Sequence, residues 1–271
     1  MKTLYVSDLD GTLLRRDQSL SDFTVNTINS LVEQGLMFSY ATARSIVTAA
    51  KVTPGLSTRV PVIVHNGTFI RRPDTGELLA GHFFGEDAKI ILDDLMANGL
   101  YPIVYTLIDG QEKFRYWDEK STPGMSRFIG TRQNDPRERP VHSAAGLYEG
   151  EPYYITCIDE KEKLIPFYEK YKEQFHCILY REIYSGDDFL EFMPKAASKA
   201  NAALELKALL GCEKLVAFGD GLNDIDLFRV ADEAYAVENA VPELKAIATG
   251  IIGGNQDDGV AKWLLENAEI R

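Results

Sequence analysis

Cysteine is scarce in this chain, and the little there is points away from disulfides. Cys157, Cys177 and Cys212 are odd in number and far apart, a spacing that suits neither a disulfide framework nor a structural zinc site. A reducing, cytoplasmic setting is the expectation. Long apolar runs are also missing. No stretch approaches the roughly 18–20 residues of a membrane helix, and Asp8 arrives too early for the apolar segment of a secretory signal. Positive charge is short as well: 29 Lys and Arg face 41 Asp and Glu, a formal net charge of −12. Such a field repels nucleic-acid backbones and anionic membrane surfaces, so neither is an expected partner. His65, His82, His142 and His176 have no ligand spacing, and there is no internal repeat or low-complexity tract.

What is present is enough apolar material for a sizeable core. With 271 residues, 45% of them hydrophobic, the chain suits one large α/β domain or a core carrying an inserted second domain. Lys2 to Ser7 reads as a buried strand. A helix follows from Ser21, with Val25, Ile28, Leu31 and Val32 at helical spacing and Gly35 as its stop. Leu36 to Ala41 reads as a second strand and Pro61 to Val64 as a third in the same parallel sheet. The alternation returns later: Ala200 to Leu210 is helical, Lys214 to Phe218 is a strand, and Ala234 to Val237 and Ile251 to Ile252 are short ones.

Between these halves the text changes. Phe83 to Met193 holds ten of the 13 tyrosines and eight of the 13 phenylalanines, an enrichment that favours a separate sheet-containing domain. The expected seams are Ala80 to Gly85 and Tyr184 to Lys195. Asp118 to Ser143, with Arg127, Arg132, Arg137 and Arg139, reads as a long polar loop or hairpin, a solvated one more readily than an anion site.

Ligands of parallel α/β sheets bind beyond the carboxyl ends of the strands. Polar clusters fall there: Asp8-Leu9-Asp10-Gly11-Thr12 after the first strand, Thr42-Ala43-Arg44 after the second, and Gly219-Asp220-Gly221-Leu222-Asn223-Asp224 after a later one. Each alone reads as turn chemistry, and Thr42 and Asn66 alone as a cap and a turn residue. Their joint order does not. If the first strand neighbours the one before Gly219, then Asp8, Asp10, Asp220 and Asp224 converge, and a cation is needed to relieve their repulsion. Mg²⁺ suits best, being held by one or two carboxylates, waters and a substrate phosphate. Lys199, just after the N-cap candidate Ser198, opens a helix where the dipole disfavours positive charge. Beside a phosphate the same ammonium becomes useful.

These clusters, in this order, resemble the four motifs of the haloacid dehalogenase-like superfamily. The insertion between the second and third is similar to that of the Cof-type phosphatases, as are Asn66-Gly67 and Asp258-Gly259-Val260-Ala261; one departure is Ala43, where the family often has glycine. The resemblance implies a Rossmann-like parallel-sheet core, residues 1–82 and 190–271, with an inserted α+β cap, residues 83–189, that sets specificity. It implies Asp8 as nucleophile forming an aspartyl-phosphate and Asp10 as the residue that moves protons. Mg²⁺ is then expected on Asp8, the carbonyl of Asp10 and Asp220, with Asp224 behind. Thr42, Lys199, Asn223 and the amides of Leu9 and Ala43 are expected to hold phosphate oxygens, and Arg44 and Asn66 to orient loops or substrate. The expected function is hydrolysis of small phosphate esters, sugar phosphates first. Transfer to a sugar acceptor by a phosphotransferase or mutase, and an idle ligand-binding protein on the same scaffold, are the alternatives.

Overall fold

Short apolar and β-branched runs make the first two strands, β1 (Thr3–Ser7) and β2 (Met37–Tyr40), and nearly every residue in them is buried. Burial on both faces is the mark of a parallel sheet covered by helices. The helix Asp22–Glu33 joins the two strands. Ser21 caps it by accepting a hydrogen bond from the Thr24 amide, and Thr24, Ile28, Leu31 and Val32 form its buried face. The computed structural model describes residues 1–181 and 185–270. Tyr184, which opens the second seam expected from the sequence, therefore lies outside the described residues, as does Arg271.

The chain divides into two units, Met1–Gly81 with Ala197–Arg271, and His82–Ala196. In the first unit β3 (Val62–Val64), β4 (Phe69–Arg71) and β5 (Leu78–Gly81) complete the early strands. The second unit holds β6 (Ile103–Ile108), β7 (Gln111–Trp117), β8 (Glu138–Val141), β9 (Glu151–Ile158), β10 (His176–Arg181) and β11 (Asp188–Met193). The first unit then resumes with β12 (Lys214–Gly219), β13 (Glu233–Val237) and β14 (Gly250–Ile252).

The main sheet of the first unit runs β14-β13-β12-β1-β2 and is parallel throughout. β1 lies beside β12 with Ser7 opposite Phe218, so the two strands end level with one another. The third strand expected in this sheet does not join it. β3 shares only an isolated parallel bridge, Ala41 to Ile63, with the end of β2 and instead starts the antiparallel sheet β3-β4-β5. The cause is local: His65 and Asn66 both take left-handed φ, 50° and 52°, which turns the chain back on itself.

The second unit is a six-stranded sheet in the order β10-β11-β9-β6-β7-β8. One face, with Val104, Ile155, Leu190 and Phe192, shares a core with Ile91, Leu92 and Leu95 of the helix Asp87–Ala97 and Leu164 of the helix Lys161–Tyr171. The tyrosines and phenylalanines pack across strands, as in Tyr105–Phe114 and Tyr180–Phe189, with ring centroids 6.0 and 5.5 Å apart.

Two expectations for this unit need correction. Residues 190–193 belong to it, because β11 pairs on both sides within its sheet, with β9 and β10. Asp118 to Ser143 is not a loop: it contains the helix Pro123–Gly130, capped by Thr122, and the edge strand β8. Three of its four arginines are committed to neighbours, Arg127 to Asp187, Arg137 to Asp135 and Arg132 over the Phe128 ring, while Arg139 stays exposed and donates to the Glu138 carbonyl. No helix among the described residues is long and apolar enough to cross a membrane.

Candidate active site

At the carboxyl end of β1 the chain turns sharply through Leu9–Leu13, and the turn depends on Gly11 at φ 80°. A Cβ there would come within 2.2 Å of an Asp220 carboxylate oxygen. Glycine thus serves twice, allowing the left-handed backbone and making room for the acid from the neighbouring strand. Thr12 then donates its hydroxyl to Asp220 at 3.0 Å.

Because β1 and β12 end level, Asp8 meets Asp220 and Asp224 although they are far apart in sequence. One carboxylate oxygen from each lies within 4.8 Å of the others. Lys199 enters this cluster from the first turn of its helix, capped by Ser198. Its Nζ donates to Asp8 Oδ1 at 2.6 Å and to Asp224 Oδ1 at 2.7 Å, with all three side chains buried. The helix dipole opposes an ammonium here by about 0.3–1 kcal/mol, while each hydrogen bond to a charged partner contributes about 1.5–3 kcal/mol. The bonds prevail, so the lysine stays.

The helix bearing Lys199 is brought close by another glycine. Gly67 has φ 94°, and a Cβ on it would lie 2.1 Å from the Ser198 carbonyl oxygen. Any larger residue would push the start of that helix away. Asn66, before it, accepts from the Asn223 amide group at 3.3 Å, and its own amide donates to the Thr42 carbonyl at 2.9 Å. The loops carrying Thr42, Asn66 and Asn223 are thereby tied together. Thr42 is fully buried and its Oγ1 accepts from the Arg44 amide at 3.1 Å. It is not a helix cap; Ser45 takes that role for the helix Ile46–Val52. Leu9 is buried and Ala43 exposed, so either would have to serve through its backbone.

Asp10 departs from expectation. Its carboxylate does not join Asp8, Asp220 and Asp224, because Arg44 grips both oxygens, Nε to Oδ2 at 2.7 Å and Nη2 to Oδ1 at 2.6 Å. Fork-to-fork geometry makes this a directional pair. The same Nη2 donates to Gln18 Oε1 at 2.8 Å. Sequence reasoning missed Gln18 and the role of Thr12: Gln18 belongs to no motif, whereas Thr12 stood in view within the first one.

Electrostatics follow from burial. Burial pushes the Asp8 carboxyl well above its ordinary value; Lys199 opposes the rise, and Asp224, Asp220 and Asp10 add to it. Asp220 is raised to about 7, by burial first and by Asp224 next. Burial alone would depress the Lys199 ammonium, but Asp224 and Asp8 outweigh it and hold the group above its ordinary value. Three carboxylates thus share one ammonium. All the donors are oxygen, so the residues fit a hard divalent cation. Asp224 is the most committed, its Oδ2 accepting from the amides of Asp220 and Gly221, both at 3.1 Å.

A family model described as haloacid dehalogenase-like hydrolase matches residues 5–264. The chain belongs to that family. It is 27% identical to a 5-amino-6-(5-phospho-D-ribitylamino)uracil phosphatase of Bacillus subtilis, over 95% of each chain. It is also 27% identical to an HMP-PP phosphatase of Escherichia coli, over 97% of this chain and 95% of the relative. The fold matches that of TM0651 from Thermotoga maritima with a TM-score of 0.80 at 22% identity, covering 100% and 99% of the two chains. This hydrolase therefore matches its relatives over nearly the whole length of each.

Proposed function

We propose that this hydrolase is a Mg²⁺-dependent phosphatase of small phosphorylated metabolites, sugar phosphates among them. The first unit is its catalytic core and His82–Ala196 its specificity domain. The observation that carries the reading is Lys199 held between Asp8 and Asp224 at the level ends of β1 and β12. A lysine placed so is ready to neutralise a phosphate brought against Asp8. The phosphatase names of both relatives support the same reaction class, and the phosphoribityl group in one of those names supports the substrate class.

In this reading Asp8 attacks phosphorus in line, the bond to the leaving oxygen breaks, and an aspartyl-phosphate forms. Asp10 gives its proton to the departing alkoxide and later takes one from the attacking water, which releases phosphate and restores Asp8. Thr42, Lys199, Asn223 and the amides of Leu9 and Ala43 hold the phosphoryl oxygens. Arg44 holds Asp10, and Asn66 braces the loop of Asn223. Asp8, the carbonyl of Asp10 and Asp220 hold the divalent cation, with Asp224 behind them. That cation, when bound, neutralises charge on the phosphoryl oxygens.

The test is release of inorganic phosphate from an aryl phosphate with and without Mg²⁺. Asp8→Asn is expected to lower kcat by at least ~10³-fold, the scale of losing a nucleophile. Unchanged activity in that variant removes the assignment, and transfer to a sugar without free phosphate replaces hydrolase with phosphotransferase.

A further inference from the structure

Among the described residues, Arg44 meets the carboxylate of Asp10, which it grips through Nε and Nη2, and the side chain of Gln18. Gln18 Oε1 accepts from Arg44 Nη2 at 2.8 Å, while the same nitrogen donates to Asp10 Oδ1 at 2.6 Å. One amino group, with its two hydrogens, therefore spans both acceptors. Gln18 belongs to a tight turn closed by Gln18 N to Arg15 O and Arg15 N to Ser19 O, both at 2.9 Å.

Within this turn Gln18 sits at φ 62°. A side chain with a Cβ pays for that left-handed conformation, and glycine is the residue that avoids the cost. A strained residue whose side chain reaches toward a reactive group invites a functional explanation. Here the amide ends on the arginine that fixes the proposed proton carrier.

We infer that Gln18 is a positioning residue for proton transfer: through Arg44 it fixes the direction of the Asp10 carboxylate. This rests on the proposed role of Asp10. Gln18 touches neither substrate nor reacting atoms. Without its amide oxygen Arg44 Nη2 loses its bond to Gln18, and the guanidinium turns more freely about the axis that aims Asp10. Small errors of aim are costly when a proton must arrive as a bond breaks.

The consequence depends on the leaving group. A nitrophenolate departs without a proton, whereas an alkoxide needs one. Single-turnover transfer rates with 4-nitrophenyl phosphate and with an alkyl phosphate such as a hexose phosphate separate the two. Gln18→Gly relieves the backbone and removes the amide, so it is expected to keep or raise the melting temperature. Its transfer rate should fall about tenfold on the alkyl ester and less than twofold on the aryl ester, with KM unchanged. Gln18→Glu, which keeps an acceptor oxygen, is expected to recover most of the alkyl rate. Asp10→Asn is the control. If it shows the same leaving-group selectivity and Gln18→Gly does not, the positioning role is wrong while the Asp10 assignment stands. If Asp10→Asn shows no selectivity, the Asp10 assignment fails and the Gln18 inference falls with it. A lower melting temperature with equal losses on both esters assigns Gln18 a structural role and also overturns the inference.

Discussion

Asp8 of the first unit and Glu191 of the second are both carboxylic acids almost wholly removed from water, with exposures of 5% and 7%. Their neighbours differ. Asp8 faces an ammonium and two further acids, whereas Glu191 accepts from the hydroxyls of Tyr154 and Tyr180 at 2.5 and 3.2 Å. Burial raises Glu191 to about 7, and the two hydroxyls only moderate it. Burial thus favours the protonated form of Glu191. The Asp8 cluster is different, because its lone ammonium leaves charge for a cation or a phosphate to balance. Equal burial thus gives one acid met by hydroxyls and another met by an ammonium and further acids.

Removing the cation is the strongest way to break this comparison. Lys199→Met leaves Asp8 and Asp224 buried without their ammonium, and breaking such a pair costs about 3–5 kcal/mol. Urea unfolding in the presence of a chelator is expected to show that loss; a variant as stable as the parent would mean that the cluster had already taken up protons. Glu191 supplies the next test. From its ordinary 4.5 up to about 7 the folded protein holds a proton that the unfolded chain has released. Its contribution is therefore complete below 4.5 and lost as pH rises through that window, about 3 kcal/mol in all. Glu191→Gln is expected to flatten the fall in stability between those limits, while a profile that keeps its slope would assign the effect elsewhere. The mildest test leaves the sequence alone. Mg²⁺ is the proposed cation, and any ligand of the folded state at a hundred times its dissociation constant stabilises that state by about 2.7 kcal/mol. A thermal shift of matching size is expected, and its survival in Asp220→Asn would move the cation to another site.

The parts of this molecule most constrained by chemistry were the most readable. A strand ending in Asp8-Leu9-Asp10-Gly11-Thr12 and another ending in Gly219-Asp220 announce acids at the carboxyl ends of strands, and the level pairing of β1 with β12 brings Asp8 and Asp220 together. Lys199 stood out because its position conflicts with the helix dipole. Asp10 was harder, since nothing in a linear text says which cation faces a given carboxylate. Residues 118–143 were misread for another reason. β8 reads Glu-Arg-Pro-Val and lies at the sheet edge, where charge and proline are tolerated, so it carries no apolar alternation. The helix beside it did signal itself, with Thr122 as cap and Pro123 at the first helical position. β3 failed as a parallel strand because the turn at His65 and Asn66 needs left-handed backbone at two residues that have side chains, which no propensity scale foresees.

The place of β1 between β2 and β12 also sets an order of events on the ribosome. Its neighbour β2 follows after 29 residues, from Ser7 to Met37, but its other neighbour begins only at Lys214. At the usual ~5–20 residues per second the first strand waits roughly 10–40 s with one edge open. His82–Ala196 is continuous and emerges whole within that interval, so it can fold first. Asp8 gains Lys199 and Asp220 only after the long stretch between them has been made, and until then the growing chain carries that acid without the groups it meets in the fold.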